Sequence, residues 1–172
     1  MVNVRASSIE ETKNSNGNQS LILMKTESFN NIMGYLSKSF GPSGLSIIYS
    51  MGHDSGVREV KKIREEMKQL EKPLPKRAII EMSLQRLSQM GWGKFELKEL
   101  DQITGNVDIS VKKNPFSETC AMNENSGCLF LHGYVSGILT EALEEETMCG
   151  NPRCIDLDET SCIFHQVRQP RF

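Results

Sequence analysis

The longest regular pattern of apolar residues in the chain lies between positions 45 and 70. Its members recur at steps of three and four residues: Leu45, Ile48, Tyr49, Gly52, Gly56, Val60, Ile63, Met67 and Leu70. This spacing predicts a long α-helix with one buried stripe. Because glycine has no side chain, we expect the helix to approach a neighbouring element or a bound molecule closely at Gly52 and Gly56.

Two further helical patterns lie on either side of this segment. The first is predicted to be capped by Ser28 and to end near Phe40, with the GPSG sequence at 41–44 as the break. The second is predicted over about 76–90, after Pro73 and Pro75. The side chains that we expect to face inward from this helix are Ile79, Ile80, Leu84, Leu87 and Met90.

A fourth helix is predicted in CLFLHGYVSGILTEALEEE, which begins at Cys128. Its apolar side is formed by Leu131, Val135, Ile138, Leu139 and Ala142. Gly133 and Gly137 are four residues apart, as Gly52 and Gly56 are, and form a second surface for close approach.

Strand signals occur where the apolar period changes to two. KFELKEL at 94–100 and NVDISVKK at 106–113 alternate around the turn-prone ITGN, which predicts an antiparallel hairpin. Short strands are also predicted from Ser20, in SLILMK, and at the two terminal segments CIDL and CIFHQV. Helices that come first and a mixture of strands and helix that follows favour an α+β fold over an alternating parallel sheet.

Composition limits the classes of protein to consider. A chain of 172 residues with 38% hydrophobic content has enough apolar residues for one core, so we expect one domain over 20–172 after a polar, disordered tail over 1–19. The net charge of -2 gives no reason to expect direct binding of nucleic acid. We find neither a secretory apolar segment nor a membrane span, and we expect a cytoplasmic protein.

The cysteines are the residues most indicative of chemistry. In RCIDLDETSC, Cys154 and Cys162 begin the two terminal strands, and an antiparallel pairing would bring them together. The same spacing separates Cys120 from Cys128, so the two pairs could converge on one structural zinc ion. The alternatives are inert core thiols and a disulfide. Cys149 is the remaining cysteine and has no predicted role.

The C-terminal third of the chain resembles the 4-vinyl reductase domain, a family that binds small molecules. The resemblance rests on Cys128 followed by GYVSG, on the acidic run 141–146, on the Cys154 and Cys162 pair, and on Phe164. NPFSE at 114–118 and IIYSMGHDSG at 47–56 resemble the family more loosely and extend the similarity back to about Ser28.

This resemblance implies an α+β fold shared with a core subunit of vesicle-tethering complexes and with ligand-sensing domains of aromatic-responsive bacterial regulators. It implies a homodimer, a hydrophobic ligand cavity, and a zinc ion held by Cys128, Cys154 and Cys162. The fourth zinc ligand is either Cys120 or Asp108.

We therefore interpret the chain as a binding module for a lipophilic or aromatic molecule, with its output through a protein partner. We expect the pocket to lie between the two glycine-bearing helices, lined by Tyr49, Gly52, Gly56, Met82, Phe130, Gly133, Tyr134 and Gly137. One alternative is a tetrapyrrole-binding accessory or enzyme of vinyl-group reduction. The chain shows no dinucleotide or flavin signature, which disfavours an enzyme. A second alternative is a protein-interaction scaffold.

Overall fold

The fold is a helical layer combined with one small sheet, as expected for the α+β class. The computed structural model describes residues 24–101, 106–116, 126–145, 147, 153–154 and 162–166. Its elements are α1 (Thr26–Phe40), α2 (Pro42–Gln69), α3 (Lys76–Gln89), β1 (Lys94–Leu100), β2 (Val107–Lys112), α4 (Ser126–Leu143), β3 (Arg153–Cys154) and β4 (Cys162–Gln166). The predicted tail 1–19, most of the predicted strand at 20–25, Cys120 and Cys149 lie outside the described residues.

The four strands form one antiparallel sheet in the order β1-β2-β4-β3. The predicted hairpin is confirmed, because Phe95 of β1 lies opposite Val111 of β2. A bulge between Leu97 and Glu99 shifts the register near the end of β1. Strand β4 pairs with the other edge of β2, where Ile109 lies opposite Phe164. Strand β4 therefore lies in the middle of the sheet, between β2 and β3.

Helix α4 lies at the centre of the protein. Between Cys128 and Leu139 every side chain is buried except that of Leu129, which is half-buried. A helix that is apolar on all sides is stable only when other elements cover it. Helix α2 covers most of one side, α1 and α3 also contact α4, and buried side chains of β2 and β4 join the same core. Among the described helices, none has the length and apolarity needed to cross a membrane.

The break between α1 and α2 is shorter than predicted. Only Gly41 separates the helices, with φ at 54°, and Pro42 begins α2, where its missing N–H removes no helical hydrogen bond. Gly44 is therefore part of α2, and a Cβ on it would lie 2.2 Å from the carbonyl oxygen of Leu36. The predicted Ser28 cap is also wrong, because α1 begins at Thr26 and Ser28 lies inside its first turn.

The buried stripe of α2 is confirmed in its middle and wrong at its ends. Gly44, Ile48, Gly52, Gly56, Val60 and Ile63 are buried. Leu45 is 38% exposed because it follows Gly44 and lies beside the stripe, outside the four-residue steps that begin at Gly44. Leu70 and Met90 are 59% and 46% exposed, because each lies just beyond the last residue of its helix.

Candidate ligand-binding site

The predicted close approach of α2 is made to α4. A Cβ on Gly52 would lie 2.0 Å from the carbonyl oxygen of Phe130, far inside van der Waals contact. The relation is reciprocal, because a Cβ on Gly133 would lie 2.0 Å from the carbonyl oxygen of Tyr49. Of the two possibilities that the sequence allows, a neighbouring element and a bound molecule, the structure therefore shows the neighbouring element.

The same arrangement repeats one helical turn further along. A Cβ on Gly56 would lie 2.1 Å from the carbonyl oxygen of Tyr134, and a Cβ on Gly137 would lie 2.1 Å from that of His53. The predicted pocket between the two glycine surfaces is therefore wrong at these positions, because helix backbone fills the space. The four glycines set how closely the helices pack, and a ligand site has to be sought beside this contact.

A cluster of four aromatic rings lies beside one end of this helix pair. It consists of Phe29 of α1, Trp92 after α3, Phe116 after β2 and Phe130 of α4, and we call it the aromatic cluster. Phe29 lies 5.4 Å from Trp92, 5.5 Å from Phe116 and 5.2 Å from Phe130 between ring centroids. Trp92 stacks on Phe130 at 5.4 Å. These separations are typical of favourable aromatic contacts.

Burial within the aromatic cluster is uneven. Phe116 and Phe130 are buried, whereas Phe29 and Trp92 are half-buried. The cluster therefore extends from the core towards the surface between α1 and the connection from α3 to β1. An arrangement of this kind can accept a flat apolar molecule against the half-buried rings, where stacking or edge contacts add to the burial of apolar area.

A tight turn after α3 fixes the position of Trp92. Gly91 has φ at 84°, and the backbone N–H of Trp92 donates to the carbonyl of Leu87 at 3.2 Å. The backbone N–H of Gly91 donates to Ser88 at 3.1 Å. This pattern is the Schellman motif, in which a left-handed glycine ends the helix and the next residue returns towards it.

Asn114 fixes the position of Phe116 and connects the aromatic cluster to a cysteine. Its side-chain oxygen accepts the backbone N–H of Phe116 at 2.9 Å, and its amide nitrogen lies 3.6 Å from the sulfur of Cys128. Asn114 is only 3% exposed, so these contacts satisfy a polar group that would otherwise be buried without partners.

Tyr134 extends the aromatic cluster towards a charged network. Its ring lies 6.2 Å from that of Phe130. Burial raises the pKa of the Tyr134 hydroxyl well above its usual value, and the negative charge of Glu59 raises it further. Arg86 opposes that effect and itself donates to Glu59 at 3.1 Å and to Glu66. The hydroxyl is therefore neutral at physiological pH and can donate or accept a hydrogen bond.

Two further predicted pocket residues, Tyr49 and Met82, are not members of the aromatic cluster. Tyr49 is half-buried, and its ring lies 5.5 Å from that of His132 and 6.3 Å from that of His53. Met82 is half-buried on α3. Of the eight predicted pocket residues, the structure thus brings only Phe130 and Tyr134 into this aromatic group.

The predicted opposition of Cys154 and Cys162 is confirmed for the backbone. Cys154 lies opposite Cys162 in the β3–β4 ladder, as predicted, and Cys162 also lies opposite Val111 of β2. Cys128 is buried and is joined in a disulfide, one of the three alternatives for the cysteines.

Most of the side chains of the predicted zinc site lie outside the part of the chain that the structure describes. Cys120 and the side chains of Cys154 and Cys162 lie outside the described residues. Asp108, the other candidate for the fourth ligand, is half-buried on β2 opposite His165. Within the described part of the chain, no three His, Cys, Asp or Glu side chains form a group that could hold a metal ion.

Sequence reasoning missed Phe29, Trp92 and Phe116 as site candidates. They come from three separate segments, and no local period connects them. The available signal was GWG at 91–93, where two glycines flank the only tryptophan of the chain. Glycines on both sides of a large aromatic residue indicate a turn that directs that side chain.

Comparison with known proteins gives a fold-level result. No family model and no curated protein matches the chain. Among solved structures, the chain is similar to the crystal structure of the phenol-responsive sensory domain of the transcription activator PoxR with phenol, with a TM-score of 0.70 and 16% identity. The similarity covers 88% of this chain and 78% of that chain. The resemblance to ligand-sensing domains is thus confirmed for the fold, whereas membership of the 4-vinyl reductase family stays a prediction.

Proposed function

We propose that the chain is a sensory domain that binds a small aromatic or lipophilic molecule and acts through a protein partner. The observation that carries this proposal is the fold similarity over 88% of the chain to a phenol-responsive sensory domain. Fold alone does not specify function, so the proposal also needs a site of suitable chemistry in this chain. The aromatic cluster supplies it.

The ligand would contact the half-buried rings of Phe29 and Trp92. Stacked or edge-on aromatic pairs contribute about 0.5–1.5 kcal/mol each beyond the burial of their area. Two or three such contacts with a ligand ring are enough to distinguish an aromatic compound from a saturated one. The neutral hydroxyl of Tyr134 lies beyond Phe130 and is a candidate partner for a polar group on the ligand.

Thermal unfolding in the presence of matched ligands tests this function. Phenol is expected to raise the midpoint of unfolding, because a ligand at one hundred times its Kd stabilises the folded state by about 2.7 kcal/mol. Cyclohexanol carries the same hydroxyl on a saturated ring and should raise the midpoint less. Phe29→Leu should reduce the phenol effect, whereas Tyr35→Phe, at a residue that is 78% exposed, should retain it. The proposal fails if a panel of aromatic and lipophilic compounds leaves the midpoint unchanged.

We also propose a structural zinc ion held by Cys128, Cys154 and Cys162, with Cys120 or Asp108 as the fourth ligand. The opposed positions of Cys154 and Cys162 support this set. So does the burial of Cys128, towards whose sulfur the amide of Asn114 is directed. A disulfide at Cys128 and a zinc thiolate exclude one another, so the metal requires the reduced protein.

Metal analysis under reducing conditions tests the zinc proposal. We expect one zinc ion per chain in the wild type and in the control Cys149→Ser, and its loss in Cys162→Ser. A fully reduced wild type that carries no metal, after purification without chelator and with zinc supplied, would contradict it.

A homodimer is the third part of the proposal. Nine large apolar side chains are exposed in the described part of the chain, and seven of them lie between Met24 and Met51, on or next to α1 and the first half of α2. Such exposed apolar residues are typical of an interaction surface. We expect a dimer by light scattering and a shift to monomer in Ile47→Lys. A monomeric wild type at high concentration would contradict this assignment.

A further inference from the structure

A cavity lies apart from the aromatic cluster, where the C-terminal ends of α2 and α4 meet the α2–α3 connection. Its volume is about 550 Å³, within the range of roughly 300–1,000 Å³ that is usual for small-molecule sites. Met67, Pro73, Leu74 and Ile79 form its apolar wall. We call this cavity the C-terminal groove.

Two of the four cations that line the C-terminal groove already have acceptors. The guanidinium of Arg64 donates to the carbonyl of Glu141 at 3.0 Å and to the carboxylate of Glu144 at 3.1 Å. The ammonium of Lys76 donates to the carbonyl of Leu143 at 2.6 Å. Both side chains donate hydrogen bonds to carbonyl groups at the C-terminal end of α4, which have no partner within the helix. These hydrogen bonds hold the two cations in place.

The other two cations are not engaged in this way. Lys68 and Lys72 line the groove and are exposed, and in the described part of the chain neither is within ion-pair distance of a carboxylate. Glu71 lies between them in sequence, yet its carboxylate pairs with neither ammonium group. Among the residues that line the groove, the ammonium groups of Lys68 and Lys72 and the carboxylate of Glu71 make no ion pair, which leaves a net positive charge beside the apolar wall.

The backbone at the C-terminal end of α2, which borders the groove, has an unfavourable conformation. Glu71 has φ at 52°, and the backbone N–H of Lys72 returns to the carbonyl of Met67 at 3.1 Å. This is a helix end that usually carries glycine at the position of Glu71. The turn places Lys72 one residue before Pro73, whose ring forms part of the apolar wall.

We propose that the C-terminal groove binds an organic anion with an apolar body, such as a fatty carboxylate. The carboxylate would lie against Lys68 and Lys72, and the apolar chain would cover Leu74 and Ile79. Four cations and two carboxylates line the groove in a chain whose net charge is -2, so the positive charge is local to this site. This is a second site, independent of the aromatic cluster and of the function proposed for it.

Titration with decanoate, followed by NMR of the backbone amides, tests the proposal. We expect saturable shifts that are concentrated at Leu74 and Ile79, and weaker binding of decanol, which has the same chain length without the charge. Lys68→Gln and Lys72→Gln should each weaken decanoate binding about threefold, as expected for an exposed ion pair. Lys38→Gln removes the same charge at the end of α1 and should leave the affinity unchanged.

Three results would overturn the proposal: no saturable shift, equal affinities for decanoate and decanol, or equal affinities in the wild type and both lysine variants. A parallel titration with phenol keeps the two sites separate. Lys68→Gln is expected to bind phenol as the wild type does, so a failure at the groove leaves the function of the aromatic cluster untouched.

Discussion

Gly52 lies so close to Phe130 that a Cβ on the glycine would be 2.0 Å from the carbonyl oxygen of the phenylalanine. The ring of Phe130 stacks on Trp92 at 5.4 Å. The contact between two helix backbones therefore determines where one ring of the candidate site lies. Packing of α2 against α4 and the geometry of the site are thus coupled through a single residue.

Gly52→Ala is expected to destabilise the fold. A methyl group at this position would overlap the backbone of Phe130 and force the helices apart. Overpacking against backbone lies at the upper end of the usual range, at about 3 kcal/mol, and exceeds the gain of about 1 kcal/mol in helix propensity. Gly34→Ala in α1 is the matched control, because a Cβ there meets nothing within 4 Å. Urea unfolding should show a lower midpoint for Gly52→Ala and an equal or higher one for Gly34→Ala. Equal stabilities for Gly52→Ala and the wild type would contradict the packing described.

Two glutamates with left-handed backbone conformation should respond differently to replacement by glycine. Glu71 has φ at 52° and Glu144 has φ at 61°. Glu71→Gly is expected to stabilise the protein by about 1 kcal/mol, since glycine adopts this conformation without strain. Glu144→Gly also removes the ion pair with Arg64 and should gain less. Thermal unfolding of both variants tests this order, and a larger gain at Glu144 would contradict it.

Arg86 is expected to contribute more than a surface cation does. It pairs with Glu59 and Glu66, whose side chains are 15% and 20% exposed. Arg86→Met would leave two partly buried carboxylates without their cation and should cost about 2 kcal/mol. Arg77→Met removes an exposed pair with Glu81 and should cost less than about 0.5 kcal/mol. If the two variants unfold at the same urea concentration, the charged network between α2 and α3 has no special role.

The buried hydroxyl of Tyr134 predicts a loss of stability in alkali. Its pKa in the folded protein is raised above the unfolded value of about 10, chiefly by burial. The stability contributed by the neutral hydroxyl is present in full below pH about 10 and is lost as the pH rises above it, by up to about 1.4 kcal/mol per pH unit. Urea unfolding from pH about 8 to about 11 should therefore show a steeper decline for the wild type than for Tyr134→Phe. If stability declines equally steeply in the two proteins, the hydroxyl is exposed to water and the account of its burial is wrong.

Local patterns predicted the elements of the fold well. The glycine-bearing helices, the β1–β2 hairpin and the opposition of Cys154 and Cys162 all follow from periodicity and spacing. The errors occur where a pattern continues past the end of an element. Leu70 and Met90 fit their helical stripes in sequence, but each helix ends one residue earlier, so their side chains face solvent.

The candidate site was less accessible to sequence reasoning. Phe29, Trp92 and Phe116 meet through tertiary packing of α1, the turn after α3 and the turn after β2, and nothing within any of these segments indicates the others. The glycines of α2 and α4 led to a different error, the prediction of a ligand pocket where the two helices are in contact. A missing side chain indicates close approach, but the sequence alone does not show whether a helix or a ligand approaches.

Fluorescence of Trp92 during titration with phenol is the most direct test of the central claim. Trp92 is the only tryptophan of the chain, so its emission reports on the aromatic cluster alone. We predict a saturable change with phenol, a weaker response to cyclohexanol, and about three- to tenfold weaker phenol binding in Phe29→Leu, as the loss of one aromatic contact implies. A change that rises without saturation, or that is the same in Phe29→Leu as in the wild type, would contradict the assignment of the aromatic cluster as the ligand site.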